Sequence, residues 1–441
     1  MANDLAEGTR RTGDLFDAYP DTPEVKVTLE RTKAGIDLTI AWSSPDVPYA
    51  DWFLRNGGYL EGTEPDVSRP VPKRVLFHDS HGAVLLVRCW AQGYHANAFG
   101  PGSGTLRARA AILDVERDIE FERPHGIQTE ISGLRQWLGV TSWVEELDKH
   151  SPPGIAIRSV NRPATEIGLF DGVTLRLSPY WQYVPDRGSD RRVLLDAVHC
   201  VTQSSEPVGW DDHLNLHHAI RDLLVLSLWE NESCVPVSAM RKDDPLKTLD
   251  GKSHGDQWRK IVVPAEPRVS QHSGFPKHLI RYDEIGPEGL RRWIAVRESF
   301  ARALDPVISS IDIVEAHPHT LLAHTGPGLE ALGYLLLMRD GNSEGAARGA
   351  SLRRRFDRIL VDVGDTLPFE GTAWAAQTVA TYNALKHANR REPDELDVLQ
   401  TWAESVMVTR AWVALEVGVP RDVVRVRLER DDQPRLFKRI E

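Results

Sequence analysis

The stretch DELDVLQTWAESVMVTRAWVALEVGVP, residues 394–420, decides the fold class. Leu396, Leu399, Ala403, Val406, Val413 and Val417 keep to one face of a helix running from Asp394 to Val417. Gly418 and then Pro420 supply a conventional helix stop. Far upstream, VKVTLERTKAGIDLTI (25–40) has the other period. Val25, Val27 and Leu29 alternate with polar residues, and so do Ile36, Leu38 and Ile40. Lys33–Ala34–Gly35 lies between the two runs, so this segment reads as a β-hairpin. A period of two early and of 3.6 late, in separate blocks, is the pattern of an α+β protein.

Working outward, a second hairpin is expected from Arg74 to Trp90, turning at Asp79–Ser80–His81–Gly82. Short strands fit Leu106–Leu113, Ile155–Val160 and Val173–Leu177. One helix interrupts them, from His213 to Trp229, with Leu216, Ile220, Leu223, Leu224 and Leu228 as its stripe. From about 286 the pattern is helical throughout. Trp293, Val296, Phe300, Leu304, Val307 and Ile311 fit one face. Leu329–Met338, Ala347–Val363 and Pro368–Ala388 are the next three helices, and Asp394–Val417 the fifth. Short connections between them suggest an up-and-down bundle. The expected layout is a flexible leader over 1–20, a β-rich domain over 21–240, an irregular linker or insertion over 241–284, and the bundle over 285–441.

The chain has 441 residues, 53 Lys+Arg against 64 Asp+Glu, and a formal charge of −11. Hydrophobic residues make up 41% and charged residues 27%, which excludes disorder over most of the chain. Residues 290–441 are nearly neutral, with 21 Lys+Arg and 22 Asp+Glu, so the acidity sits in the first two thirds. The last third is therefore the better place for an anion. No apolar run approaches the ~20 residues of a membrane span, and the first residues carry no signal-peptide core. Cys89, Cys200 and Cys234 are too few and too far apart for a disulfide framework or a zinc ribbon. A cytoplasmic protein with reduced thiols, no membrane partner and no cofactor is the expectation.

One segment carries chemistry. Thr381–Tyr382–Asn383–Ala384–Leu385–Lys386–His387–Ala388–Asn389–Arg390–Arg391 closes the fourth helix. Asn383 and His387 are four apart and share a face, and Arg390 continues the row from Lys386. A histidine can move a proton near neutral pH, and a lysine or arginine can neutralise charge growing on a phosphorane. Asn383 can orient a 2′-hydroxyl or a phosphate oxygen. The plainer reading is a solvated helix face with one exposed histidine.

The run Tyr382–Asn383–Ala384–Leu385–Lys386–His387–Ala388 resembles the nuclease motif of the HEPN superfamily, and the layout around it resembles the ApeA-type abortive-infection proteins. Three further stretches are similar to family elements: His78–Leu86, the Leu134–Arg135–Gln136–Trp137–Leu138–Gly139 segment, and Gly328–Leu329–Glu330–Ala331–Leu332. The resemblance implies a β-rich sensor domain ahead of a HEPN-like bundle. It implies a homodimer through that bundle and metal-independent cleavage of RNA, tRNA or another host RNA, after a phage-derived trigger meets the N-terminal domain. His387 would be the general acid or base, and Asn383 matches the polar residue that follows the family's arginine. That arginine is missing. Ala380, Thr381 and Tyr382 stand where it would fall, with Tyr382 placed to contact substrate. Lys386, Arg390, or the run Arg353–Arg354–Arg355 would replace it, within one chain or across a dimer. Arg390, Arg391, Arg353, Arg354 and Arg355 are the expected RNA contacts. The alternative is a catalytically silent bundle that binds RNA or dimerises. A third reading is a ligand-binding β domain with an interaction bundle unrelated to RNA.

Other constellations weigh less. Glu315, His317, His319 and His324 are ligand types close together, but a polar inter-helix loop explains them. His213 and His217 are one turn apart without an HExxH context. Asp250–Gly251–Lys252–Ser253 imitates the end of a P-loop, but Leu246 stands where its first glycine belongs. The aromatics Trp42, Trp52, Trp90, Trp137, Trp143, Tyr180, Trp181 and Tyr183 are expected mostly in the core, with Tyr180–Tyr183 as a candidate recognition groove.

Overall fold

The computed structural model describes residues 3–16, 25–43, 48–54, 70–95, 101–115, 119–148, 154–185, 192–264, 277–313 and 315–432. The strands are β1 (Arg10–Phe16), β2 (Lys26–Thr32), β3 (Gly35–Trp42), β4 (Arg74–Asp79), β5 (Gly82–Val87), β6 (Trp90–His95), β7 (Gly102–Ala108), β8 (Ala110–Leu113), β9 (Gly126–Ile131), β10 (Trp143–Asp148), β11 (Gly154–Ser159), β12 (Thr165–Phe170), β13 (Val173–Pro185), β14 (Arg192–Ser204), β15 (Cys234–Lys247) and β16 (Ser253–Val262). The helices are α1 (Asp51–Leu54), α2 (Leu134–Leu138), α3 (Trp210–Leu228), α4 (Tyr282–Ser299), α5 (Ala301–Asp312), α6 (Pro318–Arg339), α7 (Glu344–Gly349), α8 (Leu352–Val363), α9 (Gly371–Lys386), α10 (Glu395–Glu416) and α11 (Arg421–Glu429). A β-rich first part and a helical last part make the α+β class.

All the strands but β10 and β11 link into one antiparallel order, β12-β13-β14-β9-β15-β16-β8-β5-β4-β1-β2-β3-β7-β6. Both expected hairpins form: Val27 faces Ile40 across β2–β3, and Asp79 faces Gly82 at the β4–β5 turn. The expected strand over Leu106–Leu113 is instead two strands. The chain passes at Arg109 from β7, which pairs with β3 and β6, to β8, which pairs with β5 and β16.

Two expected irregular segments are ordered. Residues 10–16 of the expected leader are strand β1, seated between β2 and β4, and Leu5 before it is buried. Its inward residues are Arg11, Gly13 and Leu15, which do not read as an apolar face. The buried Arg11 is met by Asp79, at 2.6 Å from Nη2. Residues 17–20 lie outside the described residues. Within 241–284, β15 and β16 form a hairpin, so this segment is no irregular linker where it is described. Its inward side holds the charged residues Arg241 and Asp244, and Asp244 accepts two hydrogen bonds from Arg259. Burying charge in pairs erased the alternation that marks a strand. The Asp250–Ser253 segment is the turn of this hairpin, where Gly251 takes φ +80°.

The helical part is more broken than its periodicity. The expected first helix bends at Phe300 into α4 and α5, and the third divides into α7 and α8. After the stop at Gly418 and Pro420 the chain starts a further helix, α11, with Pro420 as its cap.

The core does not divide where the periodicity changes. One continuous apolar cluster runs from β9, β13 and β14 (Ile131, Leu175, Cys200) through α3 (Ile220, Leu223, Leu224) into the bundle (Trp293, Leu329, Phe356, Trp412). A separate cluster, including Leu29, Leu38, Phe77 and Leu86, packs the half of the sheet that runs from β8 to β7. Helix α3 is the joint. Arg410 of α10, 1% exposed, donates from Nε to Leu226 O (2.6 Å) and from Nη2 to Ser227 O (3.2 Å), capping the last carbonyls of α3. The rings of Trp229 and Trp402 meet edge to face beside it.

Candidate nucleic-acid interface

Helix α9 carries the candidate residues. Glu370 caps its start by accepting from Thr372 N and Ala373 N. Trp374, Ala375, Thr378, Thr381 and Tyr382 are buried. Tyr382 is 4% exposed, and its ring lies against Gly326 of α6, where a Cβ would come within 2.3 Å. Only glycine lets the two helices approach so closely. Burial holds the Tyr382 phenol above its ordinary pKa. Tyr382 is therefore a packing residue, a correction to its expected contact with substrate.

The helix stops two residues before the expected end at Ala388. Lys386 is its last residue, and His387 is extended at φ −124° and ψ 104°. His387 thus does not share a helical face with Asn383. It stays close because its N–H donates to Asn383 O at 3.2 Å, and Arg390 N donates to His387 O at 2.9 Å. His387, Arg390 and Arg391 are exposed, and none has an ion pair among the described residues.

The structure gathers a different set around Lys386. Its Nζ lies 4.5 Å from the centre of the Tyr382 ring and 3.5 Å from Glu330 Oε2 on α6. The other oxygen of Glu330 accepts from Arg355 Nη1 at 2.6 Å. Arg355 is tightly held: Nη2 donates to Ala347 O (3.3 Å) and Arg348 O (3.0 Å) at the end of α7, and its side chain is 12% exposed. It is a structural arginine, not the open RNA contact expected of it. Arg353 is paired with Asp357 at 2.7 Å, while Arg354 is exposed. Lys386 and Arg355 meet at Glu330, and His387, Arg390 and Arg391 follow on the connection to α10. Glu330 stands in the Leu329–Leu332 stretch that resembled the family helix, but nothing in the spacing tied it to Lys386.

The histidine cluster borders the same connection. His317 caps α6, its Nδ1 is 2.9 Å from His319 Nδ1, and the two rings stack. His317 Nε2 lies 3.3 Å from Glu395, and His319 Nε2 lies 3.8 Å from Glu392. Only Glu315–His317 lie in the expected loop; Pro318 starts α6, and His319 and His324 belong to that helix. Among the described residues no group of three or more His, Cys, Asp or Glu is placed to hold a metal ion.

The N-terminal aromatics divide. Trp42, Trp52 and Trp137 are buried, whereas Trp90, Tyr180, Trp181 and Tyr183 are exposed. Tyr180 stacks on His199 at 4.7 Å. A polar cleft opens at the joint of the two parts, between Trp137 and Leu138 of α2, Leu279 and Arg281, and Val423 and Arg427 of α11. Arg427 is bound there to Glu284 and to Leu279 O.

The model of ApeA N-terminal domain 1 matches residues 18–293, more than half of the chain. This chain belongs to the ApeA-type anti-phage proteins. The ApeA match runs through the β15–β16 hairpin and ends within α4, at Trp293, so the hairpin lies inside the family domain. No curated protein and no solved structure matches. Among the described residues, no helix is long and apolar enough to cross a membrane.

Proposed function

We propose that this ApeA-type chain is a defence effector that cuts RNA without a metal, through the HEPN-like segment at the end of α9, and halts the infected host by abortive infection. One observation carries the reading: His387, Arg390 and Arg391 are exposed together just beyond Lys386 and Asn383. In the proposed step His387 takes the proton of an RNA 2′-hydroxyl. The resulting oxygen attacks the adjacent phosphorus, and the bond to the 5′-oxygen breaks. The products are a 2′,3′-cyclic phosphate and a 5′-hydroxyl that has taken up a proton. Lys386 and Arg390 neutralise the charge that grows on the phosphorane. Asn383 orients the attacking hydroxyl. The substrate is tRNA or another host RNA, the active form is a homodimer through the bundle in the cytoplasm, and a phage-derived trigger engages the β-rich part.

A second reading is a silent module that binds RNA or dimerises. A buried tyrosine at 382, where the family's arginine would fall, favours it. Cleavage of total cellular RNA by purified protein in EDTA, wild type against His387→Ala, separates the two. Cutting that survives EDTA and disappears in His387→Ala supports the nuclease. Equal cutting by both proteins places the chemistry elsewhere.

A further inference from the structure

We propose that Glu330 is a positioning residue that stands in for an RNA phosphate: it bridges Arg355 and Lys386 at rest and gives up Lys386 when RNA arrives. This inference rests on the RNA-facing reading of α9 given above.

The geometry has three parts. First, the two oxygens of Glu330 serve different cations, Oε1 on Arg355 and Oε2 on Lys386. A phosphodiester offers the same fork, two anionic oxygens on one centre. Second, the two cations are held unequally. Arg355 is fixed by two carbonyls at the end of α7, by the Tyr334 ring at 5.8 Å, and by the approach of Gly333 to its backbone. Lys386 is the last residue of its helix, 44% exposed, and meets Glu330 at 3.5 Å, a contact that solvent weakens. Its flexible stem can swing toward an incoming phosphate while Arg355 keeps Glu330 in place. Third, Lys386 adjoins His387 in the chain, so a phosphate drawn to Lys386 is delivered beside His387.

The carboxylate has a consequence for the substrate class. It cancels one of the two cations and repels any single phosphate that approaches Lys386. A ligand must bring further phosphates to Arg390 and Arg391 to win Lys386. The site then takes an RNA strand and rejects mononucleotides.

The test is binding of a fluorescein-labelled single-stranded RNA by the full chain over a salt series. Glu330→Gln keeps the shape and removes the charge. It should tighten binding about fivefold at 0.1 M salt, because Lys386 no longer leaves a carboxylate to reach the phosphate, and keep the wild-type log K against log salt slope, because the bound phosphate contacts are the same. In a Lys386→Ala background the same change should add nothing. A merely structural glutamate would change binding by the same factor with or without Lys386. If Glu330→Gln does not fold, Glu330→Asp replaces it; its shorter reach frees Lys386, and binding about twofold tighter than wild type is expected. Unchanged or weaker binding in the folded variant, with Lys386→Ala weakened, overturns this proposal alone. A Lys386→Ala protein that binds RNA like wild type overturns the RNA-facing reading and this proposal together.

Discussion

His213 and His217 stand one turn apart on α3 and are both fully buried, sharing Thr202 Oγ1 at 2.9 Å each. They are core histidines joined through a hydroxyl, not metal ligands. Burial holds both below their ordinary pKa, His217 strongly, and holds His199 down to about 4 beside Tyr180. The unfolded chain therefore takes these protons first, near pH 6.5. Stability is complete above that value and is lost as pH falls below it, at up to about 1.4 kcal/mol per pH unit for each histidine. Thermal melts should be flat from neutral to mildly alkaline pH and fall steadily from pH ~6.5 to ~5. His199→Phe, which keeps a ring against Tyr180, should make that fall shallower; an unchanged slope would remove His199 from the account. His387 is exposed, so its change to alanine should shift stability by no more than about 0.5 kcal/mol while removing cleavage.

Helix α9 shows how one element couples packing to the site. Its inner face carries Trp374 and Tyr382, and the position of Lys386 depends on where the Tyr382 ring lies. Gly326→Ala pushes a methyl group into that ring. The cost should be about 1–3 kcal/mol of overpacking, read as a lower melting temperature. RNA binding should weaken as well, because Lys386 follows the ring. The elements also explain which parts of the chain were legible. Helix α10 was readable because its seam meets apolar partners from Leu399 to Val417, although Leu396 at its start is exposed. The β2–β3 hairpin was readable because it buries one alternating face, and β4–β5 because its apolar runs, buried on both faces, flank a turn of Asp79–Ser80–His81–Gly82. β1 and β15 were not, because they bury Arg11, Arg241 and Asp244; Arg11 and Asp244 are offset only when Asp79 and Arg259 arrive from other strands, while Arg241 pairs with Asp243 on its own strand. At α9 the residues were legible but not their grouping. The helix ends before His387, and Glu330 comes from a helix more than fifty residues away in sequence.

At the scale of the molecule, the helical part is not an independent body. Its core continues through α3 into β9, β13 and β14, and Arg410 closes the C-terminal end of α3. Residues 285–441 expressed alone would expose Trp293, which bonds Ala219 O, and Trp402, which meets Trp229, and would leave Arg410 without its carbonyl acceptors. This fragment should show helical circular dichroism without a cooperative melt, whereas the full chain melts cooperatively. A cooperative melt of the fragment would separate the two parts. The same continuity seats α3, which lies inside the family's N-terminal domain, against the helices that carry the candidate site. The sheet also meets the bundle directly, where Arg291 of α4 donates to Ile167 O of β12 at 2.8 Å.

By itself the sequence determined the α+β class, the two hairpins, α3, α10 and the short run at α9 that holds the candidate chemistry. Local periodicity and turn residues suffice for these, because each element buries its own apolar face. Only the tertiary structure decided that the early and late charged segments are strands, that Tyr382 is core, that Arg355 and Lys386 share Glu330, and that one core joins the two parts. Each of these depends on a partner remote in sequence, since a buried charge or a shared carboxylate has meaning only once the fold has placed its counter-ion.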